Sequence, residues 1–540
     1  MIDILLLWAH GDSTVVLDLN PVRTIAGAAV RFIQAVLNGA PYLLSGVVLA
    51  GLLRGIVGAE VIRHRFGSRS LGSVVCASIF GFLLPLGALG SLPVARRLLA
   101  MGIPRGTTLA FLISASVLDP LSLVLGLSLM SPRPMAACVV AVFAWSLLAG
   151  LLINRLTSNR SPVETISDFE GLPGTPFARL ARVVSSMATD CSGSSLRDLA
   201  LAAAGAGLLG AFLRSGWLQQ AASPPRPAGN LVTAAMGALA SETPLGAMRQ
   251  AGILVRDGYT HQTAFMLLAS GAGFNLAILN WLHRGLRLKP WSMAAVIGIG
   301  ILLPCLIGWG FDRPVREPAG QTMFHTHAFD EVERPNFGGL ELSLAVPMAW
   351  GIATQGQAFT LPALLLLTLL STAGLIARRP RIRSVLMQWN ACLELPRHAS
   401  GTRAWDRSLS PRLTTALGLV AAIPALIALV LTYYPAPPVL LDEMVLVHTE
   451  VQYAVRLGKA DEALVWIDRW NDLIQKLGPS LRLRQGSIGG PVQVKLDELR
   501  EAVAALRGFL DEGRLEEART LLGHLDRAQK ECRQAFGAVS

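Results

Sequence analysis

The chain has 540 residues, of which 52% are hydrophobic and only 15% charged, with a mean hydropathy of +0.49. Soluble domains carry about 25% charge, so the composition excludes an ordinary soluble enzyme and indicates an all-α, polytopic membrane protein. The net charge of +11 is mostly arginine, and its position between apolar spans points to a cytoplasmic membrane face rather than to nucleic acid.

The N-terminal segment, 1–31, opens on IDILLLWAH, which is too short and lacks the basic start that a cleaved signal peptide needs. Apolar runs long enough for a bilayer core follow at 32–57, 105–130, 134–153, 258–282, 290–310, 359–377 and 413–434, with a slightly short one at 196–213. Two shorter apolar pieces, 71–84 and 229–240, end in breakers and read as half-helices. The stretch FLLPLGALGSLPVARRLLAMG contains Pro85, Gly87, Gly90 and Pro93. It reads as a helix broken at both prolines, with a short basic helix from Val94 to Met101.

Arginines cluster at Arg54–Arg69, in the 154–195 loop, at Arg284–Lys289 and most densely at Arg378–Arg407. All of them share one face if 71–104 is re-entrant, and the positive-inside rule makes that face cytoplasmic. The 311–358 loop and the region after Tyr434 are then external. The same logic makes 229–257 re-entrant from outside. Adding 156 to the first-half numbers superposes Gly81 on Gly237, Gly90 on Gly246, Ser114 on Ser270 and Asp119 on Asn275 without a gap. An internal repeat with opposite orientation is the pattern of an inverted-repeat transporter, whose site lies where broken helices meet.

Expected divisions are permease repeat 1 (32–153), a cytoplasmic loop (154–195), repeat 2 (196–310), an external loop (311–358), two more spans joined by an Arg-rich loop (359–434), and an external helical-hairpin domain (435–540). Within the last, amphipathic helices are expected near 440–457, 460–477, 492–511 and 515–536. The turns GKADEALVWID and GRLEEARTLLG are alike. This region offers a face for a protein partner or a second copy.

Residues 32 to 310 resemble the two-repeat predicted permeases that include bacterial organoarsenical efflux permeases. The likeness rests on Pro85-Leu86-Gly87-Ala88-Leu89-Gly90, Gly102, Ala110-Phe111-Leu112 and Asp119-Pro120 in the first half, and on Thr243-Pro244-Leu245-Gly246, Gly258, Ala264-Phe265 and Asn275 in the second. The resemblance implies the permease architecture. It does not carry over arsenical binding, because both motif cysteines are replaced in both halves and thiolate is the ligand suited to soft ions.

An intramembrane carboxylate costs roughly 2.5–3.5 kcal/mol on insertion scales, so Asp119 should be protonated, paired or hydrated, as a proton-coupling group or as a helix cap. Glu242 reads either as a second proton or cation site or as the cap of the helix after Pro244. Asn275, Thr243, Ser114, Ser116 and Ser270 read as pathway-lining polar groups or as interhelical hydrogen bonds. Gly87, Gly90 and Gly246 supply freedom at the breaks. His325 and His327, in HTHAFDEVE, read as a candidate for a divalent metal or as part of a polar loop. No cofactor is expected. No Walker A, GxSxG or HExxH pattern occurs, so neither an ATP-driven pump nor an enzyme is indicated. The expectation is a secondary transporter of the inner, cytoplasmic membrane carrying a small solute or ion. Its alternative is a permease-like scaffold or sensor acting through 440–540.

Overall fold

The computed structural model describes residues 21–57, 59–157, 176–213, 217–218, 222, 227–256, 259–312, 360–379, 430–431, 433–485 and 489–537. His325 and His327, most of the 413–434 span and the arginines from 381 to 407 lie outside them. The described residues are helical, with no strand among them. They form an all-α membrane protein in which five helices are long and apolar enough to cross a bilayer, or up to seven if each of two bent pairs is one span.

The first helix, α1 (Pro21–Leu52), continues through a π-helical turn at Leu53–Val57. It is longer than the 32–57 run because polar residues as well as apolar ones are helical at its start. After α2 (Ala59–Phe66), the first half consists of α3 (Leu71–Phe82), α4 (Gly87–Ala100), α5 (Arg105–Val117), α6 (Pro120–Leu129) and α7 (Pro132–Leu156). Next come α8 (Pro176–Cys191) and α9 (Ser194–Phe212). The second half has α10 (Pro227–Ala240), α11 (Pro244–Arg256), α12 (His261–Gly273), α13 (Leu276–Arg284) and α14 (Pro290–Trp309). Each starts 156 to 158 residues after its counterpart, so the offset read from the sequence also fixes where the helices begin.

Equivalent positions repeat their packing as well. A Cβ on Gly81 would sit 2.3 Å from the Ser114 hydroxyl, and one on Gly237 would sit 2.4 Å from the Ser270 hydroxyl. Both halves thus use a glycine to let the half-helix approach the second helix after it, α5 or α12, at van der Waals contact. The bent pairs turn at the same place, by 44° between α5 and α6 and by 59° between α12 and α13.

The halves are tied together through their centres. α1 packs along α9, α6 against α11, α4 against α13, and α7 against α14. On the last seam the buried Trp145 indole donates to the Val296 carbonyl at 3.1 Å and lies over Gly300 and Gly273. Pro93 does not break its helix as the sequence suggested. α4 runs through it from Gly87, losing only the amide that would have reached Leu89, while the flanking residues stay buried against α1 and α5. The end of α4 is fixed by charge. Arg97 reaches Asp190 of α8 at 3.1 Å and the Ser186 hydroxyl at 2.7 Å, and Arg96 pairs with the buried Asp198 of α9.

α15 (Thr360–Ala377) packs on α8 and α1. The C-terminal helices α16 (Pro437–Arg456), α17 (Ala460–Gln485), α18 (Gly490–Asp511) and α19 (Leu515–Gly537) form a ring with a separate apolar core around Trp470, Leu496 and Phe536. The matching turns do what their sequences suggest. Gly458 and Gly513 both take φ +74, each closing a helix in the left-handed conformation glycine permits. Ala463 and Ala518 are fully buried in the helices that follow.

Candidate functional site

Asp119 sits where α5 ends and α6 begins. Its backbone is extended, Pro120 takes the first helical position, and the carboxylate accepts the Ser122 amide at 2.6 Å while the Ser122 hydroxyl meets the Asp119 amide at 2.9 Å. This is a capping box. Asn275 does the same at α13, its Oδ1 accepting the Ile278 amide at 2.8 Å. The pair aligned by sequence is therefore a pair of equivalent helix caps. One difference matters: Asp119 is fully buried, and its second oxygen, Oδ2, has no hydrogen-bond partner.

The second break holds Ser241, Glu242 and Thr243 ahead of Pro244. The cap of α11 is Thr243, whose hydroxyl accepts the Gly246 amide at 3.1 Å. The Gly246 amide is thus taken by Thr243 and not by the Glu242 carboxylate. Glu242 instead accepts from Gln250 at 3.2 Å, one face of its side chain lies against Gly271, and Arg31 and Arg249 are within electrostatic reach. Ser241 takes φ 55, a conformation costly for a residue with a Cβ.

The two breaks meet. Gly87, at φ +56, opens α4, and a Cβ there would lie 3.0 Å from the Pro244 ring and 3.1 Å from the Tyr42 ring. Tyr42, on α1, has its hydroxyl in hydrogen-bonding reach of the Thr243 side chain and the Leu245 backbone, and it feels the charge of Asp119. Gly90 lets α1 and α4 touch, since a Cβ there would be 2.2 Å from the Tyr42 carbonyl. A Cβ on Gly246 would crowd the Glu242 carboxylate at 2.7 Å.

The hydroxyls divide by use. Ser114 donates back to Ala110 and Phe111, and Ser270 to Met266 and Leu267, each within its own helix. Ser116 donates to Leu112 and lies 3.1 Å from Ser91 of α4. Tyr42 and Gln250 are members of this polar centre that motif reading did not single out, and neither did it single out Asp198, which pairs with Arg96 toward the other end of α4. Asp198 carried a signal, an acid inside the 196–213 apolar run and 156 places after Tyr42. Among the described residues no group of three or more His, Cys, Asp and Glu could hold a metal, and the cysteines described are free.

Comparison with known proteins gives these helices a family. UPF0718 protein YcgR of Bacillus subtilis (strain 168) is 30% identical over 92 residues, 17% of this chain and 31% of the relative. A Streptococcus mutans serotype c (strain ATCC 700610 / UA159) protein named "Putative two-component membrane permease complex subunit" is 23% identical over 92 residues, again 17% of this chain and 31% of the relative. The chain thus matches about a third of the length of these curated relatives. No solved structure gives a significant match. The family model described as Predicted permease, ArsP_1, matches residues 25–308, which takes in both broken-helix halves and both caps, and the chain belongs to that family.

Proposed function

We propose that this permease is a secondary transporter that moves a small solute or ion across the cytoplasmic membrane, with Asp119 as the proton-coupling group and Glu242 as its partner. The observation that carries the reading is the meeting of the two breaks, Gly87 against Pro244, beside a fully buried carboxylate with one unpartnered oxygen. A buried acid at membrane depth is expensive and is retained where protonation has work to do. The repeated helices are read as inverted copies, one re-entrant from each face, and alternating access as rocking of one half against the other about the Trp145 seam. The arginine distribution supports a cytoplasmic face at the end of α4. The opposite face then holds the α6–α7 turn and the C-terminal bundle. Supporting that placement is Arg469 of α17, whose guanidinium reaches the Leu129 carbonyl at the end of α6 at 3.5 Å.

Asp119→Asn is the test, since Asn275 shows that an amide can cap the equivalent helix. In proteoliposomes holding the full chain, an imposed pH gradient should drive solute flux in the wild type and none above the protein-free background in the variant. Equal flux in both would remove proton coupling from the account.

A second reading has its own observation. The C-terminal bundle has a complete core of its own, and one relative is named as a subunit of a two-component permease complex. In that reading the bundle recruits a second membrane subunit, and transport requires both. Absence of flux by this chain alone, restored by a co-reconstituted partner, is its expected result.

A further inference from the structure

Four half-helices begin at the centre of this protein, and three of them carry a side-chain cap. Pro120 and Pro244 have no amide to satisfy, Ser122 and Ile278 donate to Asp119 and Asn275, and Gly246 donates to Thr243. α4 is different. It has no side-chain cap, and the amides of Gly87, Ala88 and Leu89 meet no acceptor among the described residues. Ala88 and Leu89 are nevertheless buried, at 4% and 6% exposed. A buried helix start with free donors is uncommon, because each unmade bond costs about 1–3 kcal/mol.

The backbone ahead of these amides is shaped for a purpose. Leu86 is right-handed, at φ −101 and ψ −31, and Gly87 is left-handed at φ +56. A right-handed residue followed by a left-handed one turns the amides of Leu86, Gly87 and Ala88 into one concavity, the nest that receives an anionic oxygen, and of these Leu86 already donates to the Leu84 carbonyl at 2.8 Å. Behind it stands the positive end of α4. Gly87 is required twice, for its φ and because a side chain would strike Pro244 and Tyr42.

Asp119 is the independent second feature. α4 and α5 run antiparallel with Ser91 opposite Ser116 at 3.1 Å, so one turn further along, the residue after α5 lies beside the start of α4. Asp119 is that residue, is fully buried, and has an oxygen with no donor. Three donors without an acceptor therefore adjoin an acceptor without a donor, and they do not bond each other.

We infer that the α4 start and Asp119 together bind a small solute that presents an anionic oxygen to the Gly87–Leu89 amides and an X–H group to the Asp119 carboxylate. Two kinds of molecule have that chemistry: a protonated inorganic oxyanion, such as hydrogen phosphate or bicarbonate, and a zwitterionic amino acid. The inference rests on the permease reading for its purpose but not for its test, which measures binding rather than flux.

The detergent-solubilised full chain is titrated with phosphate, bicarbonate, glycine and sulfate at fixed ionic strength and pH 7, with chloride as the baseline and melting temperature as the readout. Phosphate, bicarbonate or glycine should raise the melting temperature saturably. Sulfate, which carries no proton at this pH, should act at least tenfold more weakly. Asp119→Asn should weaken the effective ligand about tenfold while leaving the unliganded melting temperature nearly unchanged. Gly87→Ala should abolish the shift. Phosphate or bicarbonate acting alone assigns an oxyanion, and glycine acting alone a zwitterion. No shift above chloride in the wild type, or an equal shift in the wild type and Asp119→Asn, overturns the inference. Absence of pH-driven flux in the wild type with these shifts intact would count against the coupling proposal only.

Discussion

At the scale of single residues, backbone conformation marks the centre more sharply than side-chain chemistry does. Gly87 and Ser241 both have positive φ, one at each break. Glycine occupies such a conformation freely, whereas serine incurs a cost of order 1 kcal/mol. Ser241→Gly should therefore stabilise the chain by about 0.5–1 kcal/mol, read as a higher midpoint in thermal unfolding. A fall would mean that the Ser241 hydroxyl, 3.5 Å from the Leu239 carbonyl, holds the break more firmly than its length suggests. The residue identities at this centre were only partly legible. Asp119 announces itself as an acid before a proline in an apolar run. Tyr42 does not, because one tyrosine in a long apolar helix has no pattern, and only folding brings it to Gly87 and Thr243.

Among elements, packing is set by close backbone approaches. A Cβ on Gly46 would fall 1.9 Å from the Gly90 carbonyl oxygen, so α1 and α4 touch backbone to backbone. Gly46→Val should force them apart and cost several kcal/mol, as overpacked sites do at about 1–3 kcal/mol or more. The measurement is loss of the monodisperse peak in detergent, with Gly298→Val, which meets nothing within 4 Å, as the control. Prolines stand at the first position of α6, α7, α10, α11 and α14, yet the bends after α5 and α12 were not legible, since 105–130 and 258–282 each read as one apolar run. Nor was the course of α4 through Pro93, since a proline read singly signals a break and only the burial of its neighbours against α1 and α5 reverses that. The ion pairs of Arg96 and Arg97 were likewise invisible. Their partners lie on α8 and α9, some ninety residues or more away, and arginines on a membrane face ordinarily reach for water.

For the whole molecule, membrane portion and C-terminal bundle are expected to respond differently to pH. His448 lies in the bundle core, 7% exposed, with its ring 5.0 Å from that of Trp470. Burial holds its pKa below the usual histidine value, while Asp526 opposes and Lys530 reinforces the shift. The folded bundle thus binds fewer protons at this site than the unfolded chain. Its contribution to stability is present above the unfolded value of about 6.5 and is lost as pH falls below it. Hydrogen exchange over residues 437–537, corrected for intrinsic rates, should be faster at pH 5 than at pH 7.5, and His448→Leu should reduce the difference. An unchanged difference in the variant would assign the pH response to other groups. The bundle itself was foreseeable from its periodicity. Which membrane helix it touches was not, because a single guanidinium on a carbonyl leaves no trace in sequence.

That single contact has a mechanical meaning. α6 is ten residues long, a rod of roughly 15 Å, with Arg469 at one end and the Asp119 cap at the other. A short helix transmits axial displacement with little loss. If a partner pulls on the bundle while Arg469 holds Leu129, the strain arrives at the capping box, where one carboxylate oxygen has no hydrogen-bond partner. The bundle would then work as a handle on a pushrod, and load applied to it would be felt as a change in the grip of one acid.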